Sequence, residues 1–363
     1  MDSKIRANGS RKKRPTPRTV IGTGLVALDV VIADSFDVEP VLCAGGTCGN
    51  VLTALSFLGW RSYPIARLRS DAASKRVTKD LRDWNVKLDF VSLDSDGSTP
   101  VVVQHIRRNK SGEPSHSFSR KCPKCGTWLP WYKAVRNADV PDIAARLPSA
   151  DVFYFDRTSR GALSLARYAF ERGWMVFFEP SAGSEPEMLA EALEVSHVVK
   201  IASDRLAGNE GVLEAETPVL LIETRGSEGL RFKLKTTKTA GRWKTLSAFE
   251  TDAVKDTAGA GDWCTTAIIS RLGPLGVAGL KSAAPEVVSS AIRFGQAMAA
   301  WACRYHGARG GMYELSKPDL LKAVKAILDG ESNAKKQEKA PTAKSGARKA
   351  EWCDACLEGG RKE

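Results

Sequence analysis

The chain has 363 residues, 43% of them hydrophobic and 26% charged, with a net charge of +12. This composition fits a soluble globular protein, and no apolar run approaches the ~18 residues that a membrane-spanning helix requires, which excludes a helical membrane protein. Eight cysteines in a chain of this length exclude a disulfide-dense scaffold, while the length leaves one or two domains open.

The charge is unevenly placed. Residues 1–20 carry seven Lys/Arg and one acid, residues 331–363 add a net +2, and the body between keeps only +4. The basic tail, residues 1–18, reads as a solvated disordered arm or as a contact for nucleic acid or another partner. It has no apolar segment behind it and no cleavage-site pattern, so it is not read as a secretory signal, and a cytoplasmic location is the default.

From residue 19 the pattern changes. "TVIGTGLVALDVVI" is β-branched and apolar and predicts one or two strands. Its "GTGLVA" (22–27) matches a dinucleotide-binding fingerprint in spelling, but a strand-like segment follows where the fingerprint needs a helix, and no P-loop occurs anywhere. Next, "GGTCGN" (45–50) follows a strand and opens the helix "NVLTALSFLG", which stops at Gly59. Residues 36–44 and 98–121 look like hairpin material that would form a small sheet over one edge of the main domain, a lid. The runs "VFYF", "MVFF", "VVKI" and "VLLI" (152–155, 175–178, 198–201, 219–222) do not alternate, and helical patterns at 161–172, 185–194 and 204–214 separate them. Such a series predicts parallel strands buried on both faces, an α/β domain.

"DTAGAGDW" (256–263) places small residues before a helical pattern that starts near Gly261. Helix N-termini present unpaired N–H groups and a positive dipole end, and small residues let a phosphate approach them. Asp262 sits in the first turn, where a carboxylate could take a proton from a hydroxyl nucleophile. The blander reading is a glycine turn capped by Asp262.

Residues 331–350 are rich in Lys, Ala, Ser and Pro and predict a flexible linker before a terminal segment, 351–363. Two CxxC pairs, Cys122/Cys125 and Cys353/Cys356, have thiolate spacing suited to a metal, with Gly126 permitting a knuckle. One structural zinc joining all four is the favoured reading, with redox pairs and free thiols as alternatives. Such an ion would tether the C-terminus near the lid.

The two glycine motifs together are specific. "GGTCGNVLTALSFLG" resembles the first signature of the ribokinase-like (PfkB) sugar and nucleoside kinases, and "DTAGAGD" is similar to their second, DTxGAGD, at about the family's spacing of ~210 residues. The resemblance covers roughly residues 19–315. It implies a three-layer α/β sandwich with a mostly parallel central sheet and a small β lid, so that 19–330 form the kinase domain and 36–44 and 98–133, with the knuckle at 122–125, the lid. It implies ATP and Mg2+ as cofactors and phosphoryl transfer to a hydroxyl of a sugar, nucleoside or related molecule.

By resemblance, Asp262 matches the family's catalytic base and Gly259, Ala260 and Gly261 its anion hole. Asp29 matches the acid that holds sugar hydroxyls, and Gly45, Gly46 and Asn50 the acceptor pocket. Thr224, Gly226, Gly229 and Thr257 match the nucleotide-binding positions. Blander readings stand beside these: Asp29 as a turn cap, Asn50 as an N-cap, Gly226 and Gly229 as turn formers. The family's NxxE stretch falls at "SDRL", where Ser203 and Leu206 replace Asn and Glu. That departure, with the cysteine module, keeps open a non-catalytic nucleotide- or sugar-binding scaffold. Glu179 is a candidate for organising water around magnesium, or else a surface acid. His105, Arg107 and Arg108 lie on the lid, where the arginines meet an anionic substrate group or only solvent. A homodimer through the lid is a further expectation.

Overall fold

Val152, Phe153, Tyr154 and Phe155 are all wholly buried, which is why the apolar runs of the sequence do not alternate: both faces of their sheet are covered. The computed structural model describes residues 16–33, 40–108, 114–236, 239–251 and 254–330, together with Cys353 and Cys356. Most of the basic tail and the linker at 331–350 lie outside the described residues, as do parts of the lid stretches.

In chain order the elements begin β1 (Thr19–Thr23), β2 (Ala27–Ala33), β3 (Val41–Gly45), α1 (Thr47–Phe57), β4 (Arg61–Leu68), α2 (Ala72–Asp83), β5 (Val91–Leu93), β6 (Val101–Arg108) and β7 (Pro114–Ser119). The middle runs α3 (Val140–Arg146), β8 (Val152–Phe155), α4 (Arg160–Glu171), β9 (Met175–Phe178), α5 (Pro186–Glu194), β10 (Val198–Ala202), β11 (Leu220–Thr224), β12 (Leu230–Thr236) and β13 (Thr239–Leu246). The chain then turns helical: α6 (Ala260–Leu272), α7 (Gly276–Ser282), α8 (Pro285–Ala302), α9 (Gly310–Glu314) and α10 (Lys317–Leu328).

Among the described residues nine strands form the main sheet in the order β13-β12-β11-β10-β9-β8-β1-β4-β5, parallel from β11 through to β5 and antiparallel at β12 and β13. Alternate side chains feed two cores. Val152 and Tyr154 pack with α1, α6 and α8, whereas Phe153 and Phe155 pack with α4 and α5. This is a three-layer α/β sandwich, with, among the described residues, a second sheet of four strands, β3-β2-β6-β7, beside it.

One local expectation changes and another gains detail. "TVIGTGLVALDVVI" divides between sheets, since Gly24 (φ +146°) breaks the chain and β2 joins the small sheet rather than the large one. The stretch 204–214 is two 3-10 turns, Ser203–Arg205 and Glu210–Glu214, not a helix, because Gly208 (φ +77°) interrupts it and the Asn209 amide bonds back to the Arg205 and Ser181 carbonyls. Helix α6 ends at Gly273, which stays helical at φ −52° and leads into a 3-10 turn.

Candidate active site

Helix α6 begins at Ala260 because Gly259 takes a left-handed φ of +77°, in a place where a Cβ would lie 2.5 Å from Ala308. Asp256 holds this loop from within. Its buried carboxylate accepts from the N–H groups of Ala258 and Gly307, each at 2.9 Å, and from Nε2 of Gln104 at 2.7 Å. First-turn amides lack intrahelical acceptors. Ala260 N–H turns back on the Thr257 carbonyl at 3.3 Å, which leaves the amides of Gly261 and Asp262 better placed to receive an anion.

Asp262 stands in that first turn, and Asn50 Nδ2 donates to its Oδ2 at 2.7 Å. Burial pushes its carboxyl up to about 7; the negative charge of Glu179 adds to this, while the Asn50 hydrogen bond and the charges of Lys200 and Arg205 oppose it. Under the loop lies a buried ionic network. Lys200 Nζ donates to Glu179 Oε1 at 2.6 Å, and the Thr265 and Tyr154 hydroxyls donate to Glu179 Oε2 at 2.7 and 3.2 Å. A Cβ on Gly261 would come within 3.8 Å of Lys200 Nζ and 4.0 Å of Glu179 Oε1, so the network directly floors the glycine loop.

Asp29 sits in the middle of β2, paired with Cys43 and Val102, and its carboxyl rests where a Cβ on Gly45 would stand, 1.9 Å from Oδ2. Burial raises it to about 7 against the positive charge of Arg309 and a hydrogen bond from the Gly46 N–H. Gly46 has φ +78° and caps α1, with space for no side chain against the Leu25 carbonyl. Arg309, itself buried, donates to the Ala44 carbonyl and pairs with Asp80 of α2, pinning β3 in place.

The geometry therefore brings Asn50 to Asp262, and Asp29 to Gly45 and Gly46. Two blander readings fall away: Asn50 is not an N-cap, since Gly46 holds that position, and Asp29 lies within a strand rather than at a turn. Glu179 is buried at 5% exposure and fully engaged, so it is not a surface acid. Thr224, Gly226 and Gly229 cluster at the end of β11, the strand beside β10, without a described contact to Asp262. For Gly229 a structural reason suffices, because a Cβ would meet the Leu246 carbonyl at 2.2 Å; the same does not hold for Gly226, which faces open space at φ +56°. Thr257 is exposed and its hydroxyl lies 3.1 Å from His116 Nδ1 on β7. Arg107 points to solvent, and the Arg108 side chain lies outside the described residues.

Sequence reasoning missed Lys200, Arg205, Gln104, His116 and Arg309. At "SDRL" it weighed Ser203 and Leu206, yet Arg205 is the residue close enough to Asp262 and Glu179 to couple with their charges. A lysine inside an apolar strand, "VVKI", was the available signal, since such a charge persists only when paired. Thr23, Asp156, Glu179, Ser203 and Thr224 all stand at or just beyond the C-terminal ends of β1, β8, β9, β10 and β11, where open α/β sheets bind ligands. The four cysteines also meet: their sulfurs all lie within 4.8 Å of one another. Among the described residues no helix is long and apolar enough to cross a membrane.

A model of the pfkB family of carbohydrate kinases matches residues 37–314. A fructokinase from Klebsiella pneumoniae is 25% identical over 267 residues, 68% of this chain and 82% of its own. Fructokinase from Xylella fastidiosa with bound ATP superposes with a TM-score of 0.65 at 21% identity, covering 86% of this chain and 98% of that one. Aminoimidazole riboside kinase from Salmonella enterica, complexed with aminoimidazole riboside and an ATP analog, gives a TM-score of 0.61 at 20% identity over 85% of this chain and 100% of that one. These structural likenesses carry the fold, and the family match carries the class: the chain belongs to the pfkB family of carbohydrate kinases.

Proposed function

We propose that the protein transfers the γ-phosphate of ATP to a hydroxyl of a sugar, nucleoside or related small molecule, with Asp262 as the base. The observation that carries this reading is the half-buried Asp262 carboxyl at the N-terminus of α6, raised to about 7 and held by Asn50 at 2.7 Å. A base whose pKa lies near working pH is both available and strong enough to act. Asp262 takes the acceptor's hydroxyl proton as that oxygen forms its bond to the γ-phosphorus. The bond from the γ-phosphorus to the β-γ bridging oxygen breaks, and ADP leaves with the electron pair. The N–H groups at Gly259, Ala260 and Gly261, reinforced by that of Asp262, offset charge on the transferring group.

Asp29 accepts hydrogen bonds from acceptor hydroxyls in this reading, and Gly45 and Gly46 leave room for the acceptor beside it. Thr224, Gly226, Gly229 and Thr257 serve the nucleotide. Glu179 is committed to Lys200, Tyr154 and Thr265, so a Mg2+ ion would reach it only through water. When bound, it offsets charge on the β- and γ-phosphates. Apart from this site, Cys122, Cys125, Cys353 and Cys356 hold a structural Zn2+. Pairing through the lid belongs to the same reading, supported by β7 as an edge strand with Phe118 59% exposed. Binding of nucleic acid by residues 1–18 rests on their charge alone.

The non-catalytic scaffold gains no support from the site, where Asp262, Asn50 and the glycine loop are assembled. ATP consumption measured against a panel of sugars and nucleosides tests the reading. Turnover with one acceptor class is expected; ATP binding without turnover on any acceptor would favour the scaffold instead.

A further inference from the structure

The cysteine cluster has the dimensions of a metal site. Cys122 Sγ lies 3.7 Å from Cys356 Sγ and Cys125 Sγ lies 3.6 Å from Cys353 Sγ, with the partners 234 and 228 residues apart in sequence. Four thiolates at ~2.3 Å around a tetrahedral zinc stand about 3.8 Å from each other, whereas disulfide sulfurs are ~2.05 Å apart. The knuckle is shaped for the task. Gly126 has φ +73° and donates to the Cys122 carbonyl at 2.9 Å, and Cys122 N–H donates to the Thr127 carbonyl at 2.8 Å, so both thiols of "CPKC" turn to one side.

What the cluster joins is as informative as its geometry. On one side the knuckle continues the lid sheet: Leu129 N–H donates to the Arg120 carbonyl beyond β7, and Val101 N–H of β6 donates to the Pro130 carbonyl. Cys122 and Cys353 both pack in the core that holds Leu28, Val30, Val101 and Val103 of the small sheet. On the other side, those lid strands reach the catalytic loop through Gln104 on Asp256 at 2.7 Å and His116 on Thr257 at 3.1 Å. An unbroken series of contacts thus runs from the C-terminal cysteines through the knuckle and β6–β7 to the loop before α6.

We propose that Cys122, Cys125, Cys353 and Cys356 bind one zinc ion as a clasp, and that this clasp seats the lid sheet on the catalytic loop and so sets affinity for the phosphoryl acceptor. Small sheets with little core of their own gain folding energy from a metal, and metal binding then fixes their position. The effect on the acceptor rests on the phosphotransfer reading above; the metal site does not.

The test uses the full chain, purified under reducing conditions without added metal. Elemental analysis is expected to find about one zinc per chain, and replacement by Co2+ to give thiolate-to-cobalt charge-transfer absorption. Cys353→Ser/Cys356→Ser should lose the zinc, melt at lower temperature, be cleaved faster within 98–133 and raise the acceptor KM several-fold while leaving ATP affinity unchanged. Should that variant fail to fold, Cys125→Ser, at an exposed position, and timed zinc release from the wild type by a mercurial give the same readouts. Metal-free protein with four freely reactive thiols, or a mass lower by four hydrogens from two disulfides in protein purified in parallel without reductant, overturns the site. Zinc loss with an unchanged acceptor KM overturns the clasp's role. Zinc at one per chain without turnover on any acceptor would instead count against the phosphotransfer reading.

Discussion

Asn50 Nδ2 donates to Asp262 Oδ2 at 2.7 Å, so the opening turns of α1 and α6, 212 residues apart in the chain, meet at one carboxylate. The two glycine motifs of the sequence are therefore one site. Gly46 starts α1 and Gly259 starts α6, both with positive φ, and each helix points its N-terminal turn at the same place. The contact holds Asp262 in one orientation while helping to keep it charged.

Asp262→Ala removes the proposed proton acceptor without touching the amides or the loop assigned to the nucleotide. A loss of ~10²–10⁴-fold in kcat is expected, the range for a general base, with the Kd for ATP within about twofold of wild type. Isothermal titration beside steady-state turnover checks both halves. A variant that turns over normally would remove Asp262 from the chemistry.

The pH dependence has a definite sign. With Asp262 raised to about 7 and required as the anion, kcat/KM should fall as pH drops below about 7. Asn50→Ala deletes a hydrogen bond to the charged form and should move the midpoint up. Glu179→Gln deletes a neighbouring negative charge and should move it down. Opposite displacements of one titration are hard to produce by general damage to the fold, so the pair of profiles is the decisive measurement.

The same shift predicts a cost in stability. Between the ordinary carboxylate value of 3.8 and about 7 the native state holds a proton on Asp262 that the unfolded chain has lost, so this group's contribution to stability declines as pH rises through that window. Asp262→Asn keeps the shape and removes the penalty. Its Tm should exceed that of wild type at pH 8 by a few degrees, ~2–4 °C per kcal/mol for a domain of this size, and match it at pH 4. Equal melting curves at both pH values would show that the buried charge is not being paid for in stability.

Lys200 and Glu179 make a buried pair at 2.6 Å, with side-chain exposures of 1% and 6%. Removing one partner strands the other, so Lys200→Met should cost ~3–5 kcal/mol. Lys200→Met/Glu179→Leu should recover part of that loss, because no charge is then left unpaired. Chemical denaturation of the two singles and the double gives the coupling; additive losses would mean that the two charges do not depend on each other.

The sequence made the layers legible because burial on both faces writes itself as unbroken apolar runs such as "VFYF". It made Asp262 and the glycines legible because a helix N-terminus that faces an anion tolerates few side chains. It did not reveal Lys200, whose charge is explained only by Glu179, a partner from a neighbouring strand. Nor did it reveal that β2 leaves the main sheet, since the β-branched run continues past Gly24 with no change of composition. Arg205 was passed over because Ser203 and Leu206 were weighed by their place in a motif, and the 3-10 turn there presents a different residue to Asp262.

Gly45 and Gly226 separate the two halves of the site. At Gly45 a Cβ would fall 1.9 Å from Asp29 Oδ2, so Gly45→Ala must displace the carboxyl proposed to meet acceptor hydroxyls. At Gly226 the space is open and only the φ of +56° resists a side chain, a strain of about 1–2 kcal/mol on a loop assigned to the nucleotide. Gly45→Ala should therefore raise the acceptor KM by about tenfold or more, the worth of one lost polar contact of ~1.4 kcal/mol, and leave the ATP KM alone. Gly226→Ala should do the reverse and more weakly. Both KM values, measured for both variants with one acceptor, decide the matter: if Gly45→Ala weakens ATP and acceptor alike, Asp29 does not belong to an acceptor subsite distinct from the nucleotide's.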